Sequence, residues 1–301
     1  MPDVKLSVLM PVYNAARYLE EAVESILAQT YRGFELVIVN DGSTDRSGKM
    51  LERFARGDSR VRVISRGNTG IVGALNDGLA ECHGELIARM DADDVSMPER
   101  FERQVAYLEK NPDVICVGCR VLGIDPYGGV LFTSEHKLSH EEIDAELLKG
   151  SGWSIVHPAA MMRREAVVAL LGYRKEFEWA EDLDLFLRLA ERGRLANLPD
   201  VLLQYRQHPD SINRTRRDAQ VRVITAVVHE AHKRRGIGID PQWTYTPQPV
   251  LPKDKQLRTW AWKALAEGKV PIARKYALAA WQSSPLNVES WRALICAMRG
   301  Y

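Results

Sequence analysis

The residues best suited to chemistry are acids that follow an apolar run. Asp91, Asp93 and Asp94 come directly after Leu86–Met90, which is typical of a strand. Mg²⁺ and Mn²⁺ favour carboxylate oxygen and often take only one or two protein carboxylates plus phosphate oxygens. A capping turn before the helix at Pro98 would need only one acid, and three gathered acids repel each other unless a cation compensates. The spacing therefore favours a metal and phosphate site.

A second acidic pair, Glu181-Asp182, directly precedes the helical pattern Leu183–Arg192. A carboxylate at the start of a helix can cap the helix and offset its dipole, which is worth about 1 kcal/mol. The same fixed position suits a general base, which must be held within reach of the proton that it removes. The two roles are compatible for Asp182, whereas Asp184 faces elsewhere on the helix and is expected to be structural.

Strand and helix patterns alternate over the first 110 residues and would position these acids. This alternation predicts βαβ units, a parallel sheet and an α/β fold. Ligands in such sheets bind beyond the carboxyl ends of the strands. The predicted strands are Leu6–Val12, Glu35–Asn40, Val61–Ser65 and Leu86–Met90, and the predicted helices are Ala16–Gln29, one ending near Arg56, Ile71–Glu81 and one from Pro98 to Lys110.

The alternation weakens after residue 112, and the chain turns helical from about Thr215. Pro241–Pro252 is interpreted as a linker, and Gly268 and Ser283-Ser284-Pro285 divide the helices of the last 45 residues. We predict a catalytic domain over residues 1–215 and a helical region over residues 216–301. The other predicted elements are strands Val114–Arg120, Val130–Thr133 and Val201–Tyr205 and helices Arg164–Leu171, Leu183–Arg192 and Arg216–Arg235.

The composition indicates a globular protein with an ordinary core. Of the 301 residues 46% are apolar and 27% are charged. The chain has 41 lysines and arginines and 40 acids, which gives a net charge of +1. Such a balance produces no overall positive potential that would attract nucleic acid. No segment resembles a signal peptide, and no apolar run approaches the roughly 20 residues that span a bilayer. These features favour a cytoplasmic location.

Two of the four cysteines form a C-x-x-C, Cys116 and Cys119. No second pair of ligands completes a zinc site around them. They belong to the strand-like run Val114–Arg120, in which residues at i and i+3 point to opposite faces. We expect reduced, buried thiols.

The order and spacing of the motifs resemble those of the family 2 glycosyltransferases. The matching blocks cover roughly two-thirds of the chain. Each block is weak alone, but the joint order is specific. The blocks are Pro11-Val12-Tyr13-Asn14, Val39-Asn40-Asp41-Gly42-Ser43-Thr44-Asp45, Asn68 with Gly70, Ala74-Leu75-Asn76, Gly84-Glu85, Asp91-Ala92-Asp93-Asp94, His157-Pro158, Gly172-Tyr173, Glu181-Asp182-Leu183-Asp184-Leu185 and Tyr205-Arg206-Gln207-His208.

The resemblance implies the GT-A fold, a Rossmann-like mixed sheet, and a nucleotide-sugar donor. Tyr13 would flank the nucleobase, and Asp41 would accept a hydrogen bond from the base, unless Asp41 only shapes its Asp-Gly turn. Asn68 and Arg89 would be further nucleotide contacts. The residues expected to bind the donor are Pro11, Val12, Tyr13, Asn14, Asp41, Asn68, Arg89, Asp91, Ala92 and Asp93.

The family pattern also assigns the metal and the base. Asp91 matches the acid that holds the ribose, and Asp93 matches the ligand of the Mn²⁺ or Mg²⁺ on the diphosphate. Asp182 matches the catalytic base. His208 matches a place where relatives often carry a histidine, and it either completes the metal site or is solvated.

The resemblance implies an inverting transfer of a hexose-type sugar by single displacement. UDP is the favoured nucleotide, with dTDP and GDP open. The acceptor would be a hydroxyl of a glycan or of a lipid-linked glycan, in the synthesis of cell-surface polysaccharide or glycoconjugate. Trp153, His157 and Tyr173 would line the sugar or acceptor side, and buried aromatic packing explains them equally well.

The tail has the spacing of half a tetratricopeptide repeat, at Gly268, Ala273, Ala280 and Pro285. At least three repeats are usually needed for stability. We therefore expect the tail to pack on the catalytic domain or to form a homodimer contact. The basic helix Arg216–Arg235 could contact the anionic inner face of a membrane peripherally, although a solvated helix face is the simpler interpretation.

Four rival functions fit the sequence less well. A nicotinamide dehydrogenase needs a glycine-rich first turn, and Pro11–Ala16 contains no glycine. A P-loop nucleotidase needs G-x-x-x-x-G-K-[ST], which does not occur. A sugar nucleotidyltransferase would have a glycine-rich and basic first loop. A non-catalytic interaction module with a degenerate transferase domain would not be expected to keep the acids Asp41, Asp91, Asp93 and Asp182.

Overall fold

A computed structural model describes residues 4–207, 217–246 and 251–300. These residues form two compact units. The first unit takes residues 4–121, 135–204 and 217–245, and the second takes residues 122–134, 205–207, 246 and 251–300. Each unit is described by itself.

The first unit begins with four parallel strands joined by helices. Apolar runs form the strands, and crossover helices keep neighbouring strands parallel. The strands are β1 (Leu6–Val12), β2 (Phe34–Asp41), β3 (Val61–Arg66) and β4 (Leu86–Arg89), and the helices are α1 (Leu19–Leu27), α2 (Ser47–Gly57) and α3 (Ile71–Glu81). Strand pairing in the order β3-β2-β1-β4 confirms the predicted βαβ units.

The chain then adds strands that make the sheet mixed. The elements are β5 (Val95–Ser96), α4 (Arg100–Lys110), β6 (Val114–Ile124), β7 (Val130–Thr133), α5 (His140–Leu147), β8 (Met161–Arg163), α6 (Arg164–Ala169), α7 (Glu181–Ala190) and β9 (Arg194–Arg206). Strand β8 pairs antiparallel with both β4 and β6. The order along the sheet is β3-β2-β1-β4-β8-β6-β9-β5, and β7 pairs with β6.

Several predicted boundaries were wrong in this half. Strands β5 and β8 and helix α5 were not predicted, because strands of two or three residues and a helix of two turns carry too little periodicity. Strand β9 begins seven residues before the predicted Val201. Helix α7 begins at Glu181 and not at Leu183, so both acids of the pair lie in its first turn.

One face of the sheet packs against a layer that includes α8 (Arg217–Arg235). The predicted apolar side of α8 is confirmed, because Val227, Val228 and Ala231 are buried in this core. Its basic end binds acids of the same unit. Arg234 donates to Glu191 at 2.8 Å, and Arg235 donates to Asp144 at 2.8 Å. These arginines therefore stabilise the packing of α8.

The second unit contains the three helices of the tail, which are α9 (Lys253–Ala266), α10 (Val270–Ser283) and α11 (Val288–Arg299). The predicted division at Gly268 is confirmed, and its φ of 68° is one that glycine adopts without steric cost. Trp260 packs edge-on against Tyr276 with ring centroids 5.0 Å apart. Small buried side chains, among them Ala273 and Ala277, let the helices approach each other closely.

The expectation of reduced, buried thiols is confirmed for three of the four cysteines. All four are free, and Cys82, Cys116 and Cys119 are buried. Burial raises the pKa of Cys82 to about 12 and that of Cys119 to about 11, so both thiols stay protonated at neutral pH. Among the helices of the described residues, none is both long and apolar enough to cross a membrane.

Candidate active site

The parallel strands bring distant segments to one edge of the sheet. Leu9 of β1 lies opposite Arg89 of β4, and Asp41 of β2 lies opposite Arg66 of β3. Since all four strands run in the same direction, the loops after them meet at their carboxyl ends. The predicted donor-binding residues lie in these loops or in the last residues of the strands.

Asn14 shapes the loop after β1. Its φ of 50° lies in the left-handed region, which asparagine tolerates better than most residues. Its side-chain oxygen accepts a hydrogen bond from the backbone N–H of Thr44 at 2.8 Å, and its own N–H donates to Ser43 Oγ at 3.1 Å. The neighbouring ring of Tyr13 is 54% exposed, whereas Val12 is buried. The loop therefore presents one flat aromatic face at the sheet edge.

Asp41 holds the loop that carries Asn68. Its two carboxylate oxygens accept from the backbone N–H groups of Thr69 at 3.1 Å and Gly70 at 3.0 Å. Arg66 Nε lies 3.3 Å from the same carboxylate. The side chain of Asp41 is buried, and Asn68 is exposed. Asp41 thus fixes a second loop as well as its own turn, and its direct contact with a nucleobase stays a prediction.

Gly42 makes this close approach possible. Its φ is 74°, and a Cβ at this position would lie 2.7 Å from the backbone nitrogen of Asn68. Any other residue would therefore push the Asn68 loop away from the end of β2.

Three carboxylates gather after β4. Side-chain oxygens of Asp91, Asp93 and Asp94 all lie within 4.8 Å of one another. Asp91 and Asp93 are partly exposed, and Asp94 is buried. Arg89, which is buried, forms an ion pair with Asp91. Although burial opposes its charge, the Asp91 carboxylate raises the pKa of Arg89 above its ordinary value. The buried guanidinium of Arg89 therefore offsets part of the negative charge of this aspartate cluster.

The oxygen donors of this cluster fit a hard divalent cation such as Mg²⁺ or Mn²⁺. Within the described ranges of the chain, it is the one group of three or more metal-ligating side chains that converge in this way. His208, the other predicted metal ligand, lies outside the described residues.

The acidic pair occupies the first turn of α7. Asp182 accepts from the backbone N–H of Leu183 at 2.7 Å, and Glu181 accepts from that of Trp179 at 2.9 Å. Trp179 has a φ of 85°, which costs a bulky residue of the order of 1–3 kcal/mol. The Glu181 carboxylate thus helps to fix a strained turn beside Asp182.

The predicted structural role of Asp184 is confirmed. Its buried carboxylate accepts from Arg188 at 2.7 Å and from Arg174 at 3.1 Å. Arg188 also donates to the carbonyl of Gly172 at 2.8 Å. This network anchors α7 and the loop that leads to it.

Electrostatics link the acidic pair to the aspartate cluster. Burial raises the pKa of Asp182, the nearby Asp91 charge raises it further, and Arg89 opposes both effects. Burial and the charge of Asp182 together raise the pKa of Glu181 to about 8. Asp182 therefore lies within electrostatic range of Arg89 and Asp91, although 91 residues of sequence separate the two acids.

The aromatic residues assigned to the acceptor side differ in exposure. His157 and Tyr173 are buried, and His157 Nε2 lies 2.9 Å from the Tyr173 hydroxyl. Burial, helped by the charge of Arg89, lowers the pKa of His157 well below its ordinary value. Packing accounts for both residues. Trp153 in contrast is 39% exposed.

The position of Arg66 beside Asp41 was not predicted, and Arg89 was predicted only as a nucleotide contact, whereas it forms an ion pair with Asp91. For Arg66 the signal is its place at the end of a parallel strand, opposite a carboxylate on the neighbouring strand. For Arg89 the signal is an acid two residues later in the sequence. Only the strand register shows that Arg66 and Asp41 lie opposite each other.

Solved structures share this fold. S. aureus TarS, solved in complex with UDP, aligns over 99% of this chain and 92% of its own, with a TM-score of 0.58 and 17% identity. A mannosyltransferase from Pyrobaculum calidifontis, solved with GDP-Man and Mn²⁺, aligns over 99% of this chain and 82% of its own, with a TM-score of 0.58 and 20% identity. The protein has the GT-A fold of such transferases.

The sequence model described as glycosyl transferase family 2 matches residues 7–171. The chain therefore belongs to glycosyltransferase family 2.

Three relatives illustrate the family. The putative glycosyltransferase EpsE of Bacillus subtilis is 34% identical over 82% of this chain and 88% of its own. The amylovoran biosynthesis glycosyltransferase AmsE of Erwinia amylovora is 35% identical over 70% of this chain and 79% of its own. An uncharacterized glycosyltransferase of Haemophilus influenzae is 34% identical over 67% of this chain, which spans 65% of that relative.

Replacing Glu181 should change the stability of the protein by an amount that depends on pH, because its carboxylate is buried next to the charge of Asp182. We expect Glu181→Gln to raise the melting temperature by a few degrees at pH 8 and by little at pH 4.5. The folded state keeps the Glu181 proton up to a pH of about 8, against 4.5 for an ordinary glutamate, so the wild-type protein loses stability as the pH rises through this window. Glutamine keeps an oxygen for the Trp179 N–H.

Thermal unfolding of both proteins from pH 4.5 to 8.5 measures this difference. Glu176→Gln is the matched control, because Glu176 is exposed in the loop before α7. The difference in melting temperature between this variant and the wild-type protein should be the same at every pH. If Glu181→Gln changes the melting temperature equally at pH 4.5 and at pH 8.5, the raised pKa of Glu181 is contradicted.

Proposed function

We propose that this protein is an inverting, metal-dependent glycosyltransferase that moves a hexose-type sugar from a nucleoside-diphosphate sugar to an acceptor hydroxyl. The observation that carries the proposal is the electrostatic link between Asp182 and the Asp91 cluster. It supports a single site in which hard oxygen ligands and a carboxylate with an elevated pKa would act together, and this reaction needs both.

The donor would lie across the carboxyl ends of β1 to β4. The exposed ring of Tyr13 would stack on the base, beside the backbone of Pro11–Asn14, and Asp41 would hold the Asn68 loop against it. UDP is the favoured nucleotide. The structural neighbour TarS was solved with UDP, and the mannosyltransferase with GDP-Man, so a comparison of nucleotides tests this choice.

Asp93 would hold the cation, and Asp91, kept in place by Arg89, would bind the ribose. A bound Mn²⁺ or Mg²⁺ supplies charge neutralisation for the departing nucleoside diphosphate. The predicted contribution of His208 to this site stays a prediction.

Asp182 would accept the proton of the acceptor hydroxyl while that oxygen attacks the anomeric carbon from the face opposite the leaving group. Its hydrogen bond from the Leu183 N–H fixes one carboxylate oxygen in the first turn of α7. Burial raises the pKa of Asp182, which makes it a stronger base than an exposed aspartate once it is ionised. A single displacement of this kind inverts the anomeric configuration.

The acceptor would be a glycan or a lipid-linked glycan in cell-surface polysaccharide synthesis. The names of AmsE and of the O-antigen biosynthesis glycosyltransferase WbnJ of Escherichia coli, which is 34% identical over 70% of this chain, support this setting. A homodimer contact through the tail and a peripheral membrane contact through α8 remain parts of the proposal.

A thermal-shift panel tests the donor class. Nucleoside diphosphates and nucleotide sugars are added with and without Mn²⁺, and we expect stabilisation by one nucleotide class that requires the metal. A ligand at about 100 times its Kd stabilises a protein by about 2.7 kcal/mol, which is well within the resolution of the assay. Absence of any nucleotide-dependent shift would count against a transferase and favour the interaction-module alternative.

A further inference from the structure

Arg100 is a buried arginine at the first residue of α4. Its side chain is completely enclosed, with 0% of the residue exposed. A positive charge at this end of a helix opposes the helix dipole, and a buried charge is costly unless an opposite charge compensates it. Residues that break such local rules are found mainly at functional sites. The charge of Arg100 is therefore expected to serve the site and not the helix.

The guanidinium of Arg100 contacts the end of β4. Nη2 donates to the carbonyl of Arg89 at 2.9 Å and lies 3.4 Å from that of Ala160, and Nη1 lies 3.6 Å from Met90 Sδ. Arg89 is the arginine that forms the ion pair with Asp91, and Met90 is the residue directly before that aspartate. Arg100 therefore lies against the segment that carries the aspartate cluster.

Hydrogen bonds to carbonyls do not by themselves require a charge. Gln104, one turn later on α4, is as buried as Arg100, and its neutral amide donates to the carbonyls of Val117 at 3.1 Å and Ala159 at 2.8 Å. Its side-chain oxygen accepts from Arg100 Nε at 3.1 Å. Within the described part of the chain, no hydrogen bond of Arg100 goes to a carboxylate. The backbone contacts alone therefore do not explain why an arginine stands here.

The charge of Arg100 also reaches the aspartate cluster. Burial lowers the pKa of Arg100 to about 10, and the nearby carboxylate of Asp94 opposes this shift. The guanidinium therefore stays charged at neutral pH. The charge of Arg89 lowers the same pKa, so the two arginines lie within electrostatic range of each other. Two buried positive charges thus accompany the carboxylates of Asp91, Asp93 and Asp94.

The formal charges show what the two arginines do to the cluster. Three carboxylates and two guanidinium groups together have a formal charge of −1 at neutral pH, whereas the three carboxylates alone have −3. Coulomb attraction is proportional to charge, so the arginines weaken the attraction for a divalent cation that arrives alone. With such a cation bound, these groups have a formal charge of +1, which attracts a negatively charged diphosphate.

We propose that Arg100 sets the order in which the aspartate cluster binds its ligands. Its buried charge, together with that of Arg89, makes a divalent cation alone a weak ligand and the same cation on a nucleoside diphosphate a strong one. Arg100 is a positioning residue, because it acts through the carboxylates and contacts no substrate. The inference rests on the proposed function, since it concerns the cation of that site. Loss of the Arg100 charge should tighten the binding of the cation, whereas a mere loss of structure would weaken it.

Titration of the whole chain with Mn²⁺ alone, followed by the electron paramagnetic resonance of the unbound ion, tests this order. Arg100→Met replaces the guanidinium by an uncharged side chain, and we expect it to lower the Kd for Mn²⁺ at least about tenfold, which corresponds to about 1.4 kcal/mol. The Kd for UDP at saturating Mn²⁺ should rise in the same variant. Arg100→Lys keeps the charge and should keep the wild-type Kd for Mn²⁺. Gln104→Met removes the neighbouring hydrogen bonds but no charge, so it should not tighten Mn²⁺ binding.

A second variant, Arg89→Gln, removes the other buried charge and should also tighten the binding of Mn²⁺ alone, so it decides the question if Arg100→Met does not fold. Tighter Mn²⁺ binding in a protein that transfers no sugar supports this inference, and only the proposed reaction then fails. Unchanged or weaker Mn²⁺ binding in the folded variants, while the wild-type protein binds Mn²⁺ with UDP, overturns the inference alone. If neither the wild-type protein nor any variant binds Mn²⁺, with or without UDP, the inference and the proposed metal site both fail.

Discussion

Asp182→Asn should slow sugar transfer by about 10²- to 10⁴-fold and leave donor binding intact. Asparagine has the same shape and can still accept the hydrogen bond from the Leu183 N–H, so the first turn of α7 should not change. It cannot accept the proton of the acceptor hydroxyl. Removing a positioned general base typically costs about 10²- to 10⁴-fold in rate, and we expect a loss of kcat in this range. The melting-temperature shift on adding nucleotide and Mn²⁺ should equal that of the wild-type protein.

The wild-type pH profile carries the same information. Because burial raises the pKa of Asp182, the rising limb of kcat/KM should lie above the pH at which an exposed aspartate ionises. Activity falls as the pH drops through that raised pKa, since the base becomes protonated. Asp113→Asn, at a carboxylate that is 63% exposed, is the control. If Glu181→Gln loses sugar transfer and Asp182→Asn keeps it, Glu181 and not Asp182 is the base.

Asp93→Ala should remove the metal-dependent part of nucleotide binding. The carboxylates of Asp91, Asp93 and Asp94 lie within 4.8 Å of one another, and Asp91 is engaged by Arg89. Losing Asp93 therefore takes away one of the three hard oxygen ligands of this group. We expect the extra stabilisation by Mn²⁺ to vanish and transfer to fall below detection. The small shift from nucleotide alone should persist.

Thermal shift with a titration of Mn²⁺ at saturating nucleotide measures this effect. Asp113→Ala should respond as the wild-type protein does. A variant that is destabilised without ligand yet still gains fully from Mn²⁺ would show that Asp93 is structural and that the cation lies elsewhere.

Much of the fold was predictable from periodicity. The strands β1 to β4 are apolar runs with helical patterns between them, and their parallel pairing follows from the rules for βαβ units. Such elements are locally encoded, because each has enough residues to show its period. The antiparallel half was not predictable in this way. Strand β8 has three residues and exists because β4 and β6 lie on either side of it.

The same division holds for the site. The sequence indicated the acids Asp91, Asp93 and Asp182 by type and by position at element ends, and it indicated the structural role of Asp184. It did not indicate that Asp41 binds the Thr69-Gly70 backbone, since a hydrogen bond between loops depends on the register of β2 and β3.

By itself the sequence determined the family and the kind of side chain at each strand end, because both depend on local order along the chain. Only the tertiary structure decided that Arg66 lies beside Asp41, and that Asp182 lies within electrostatic range of Arg89 and Asp91. Coulomb interactions and desolvation depend on distance and burial, which strand register and helix packing set between residues far apart in sequence.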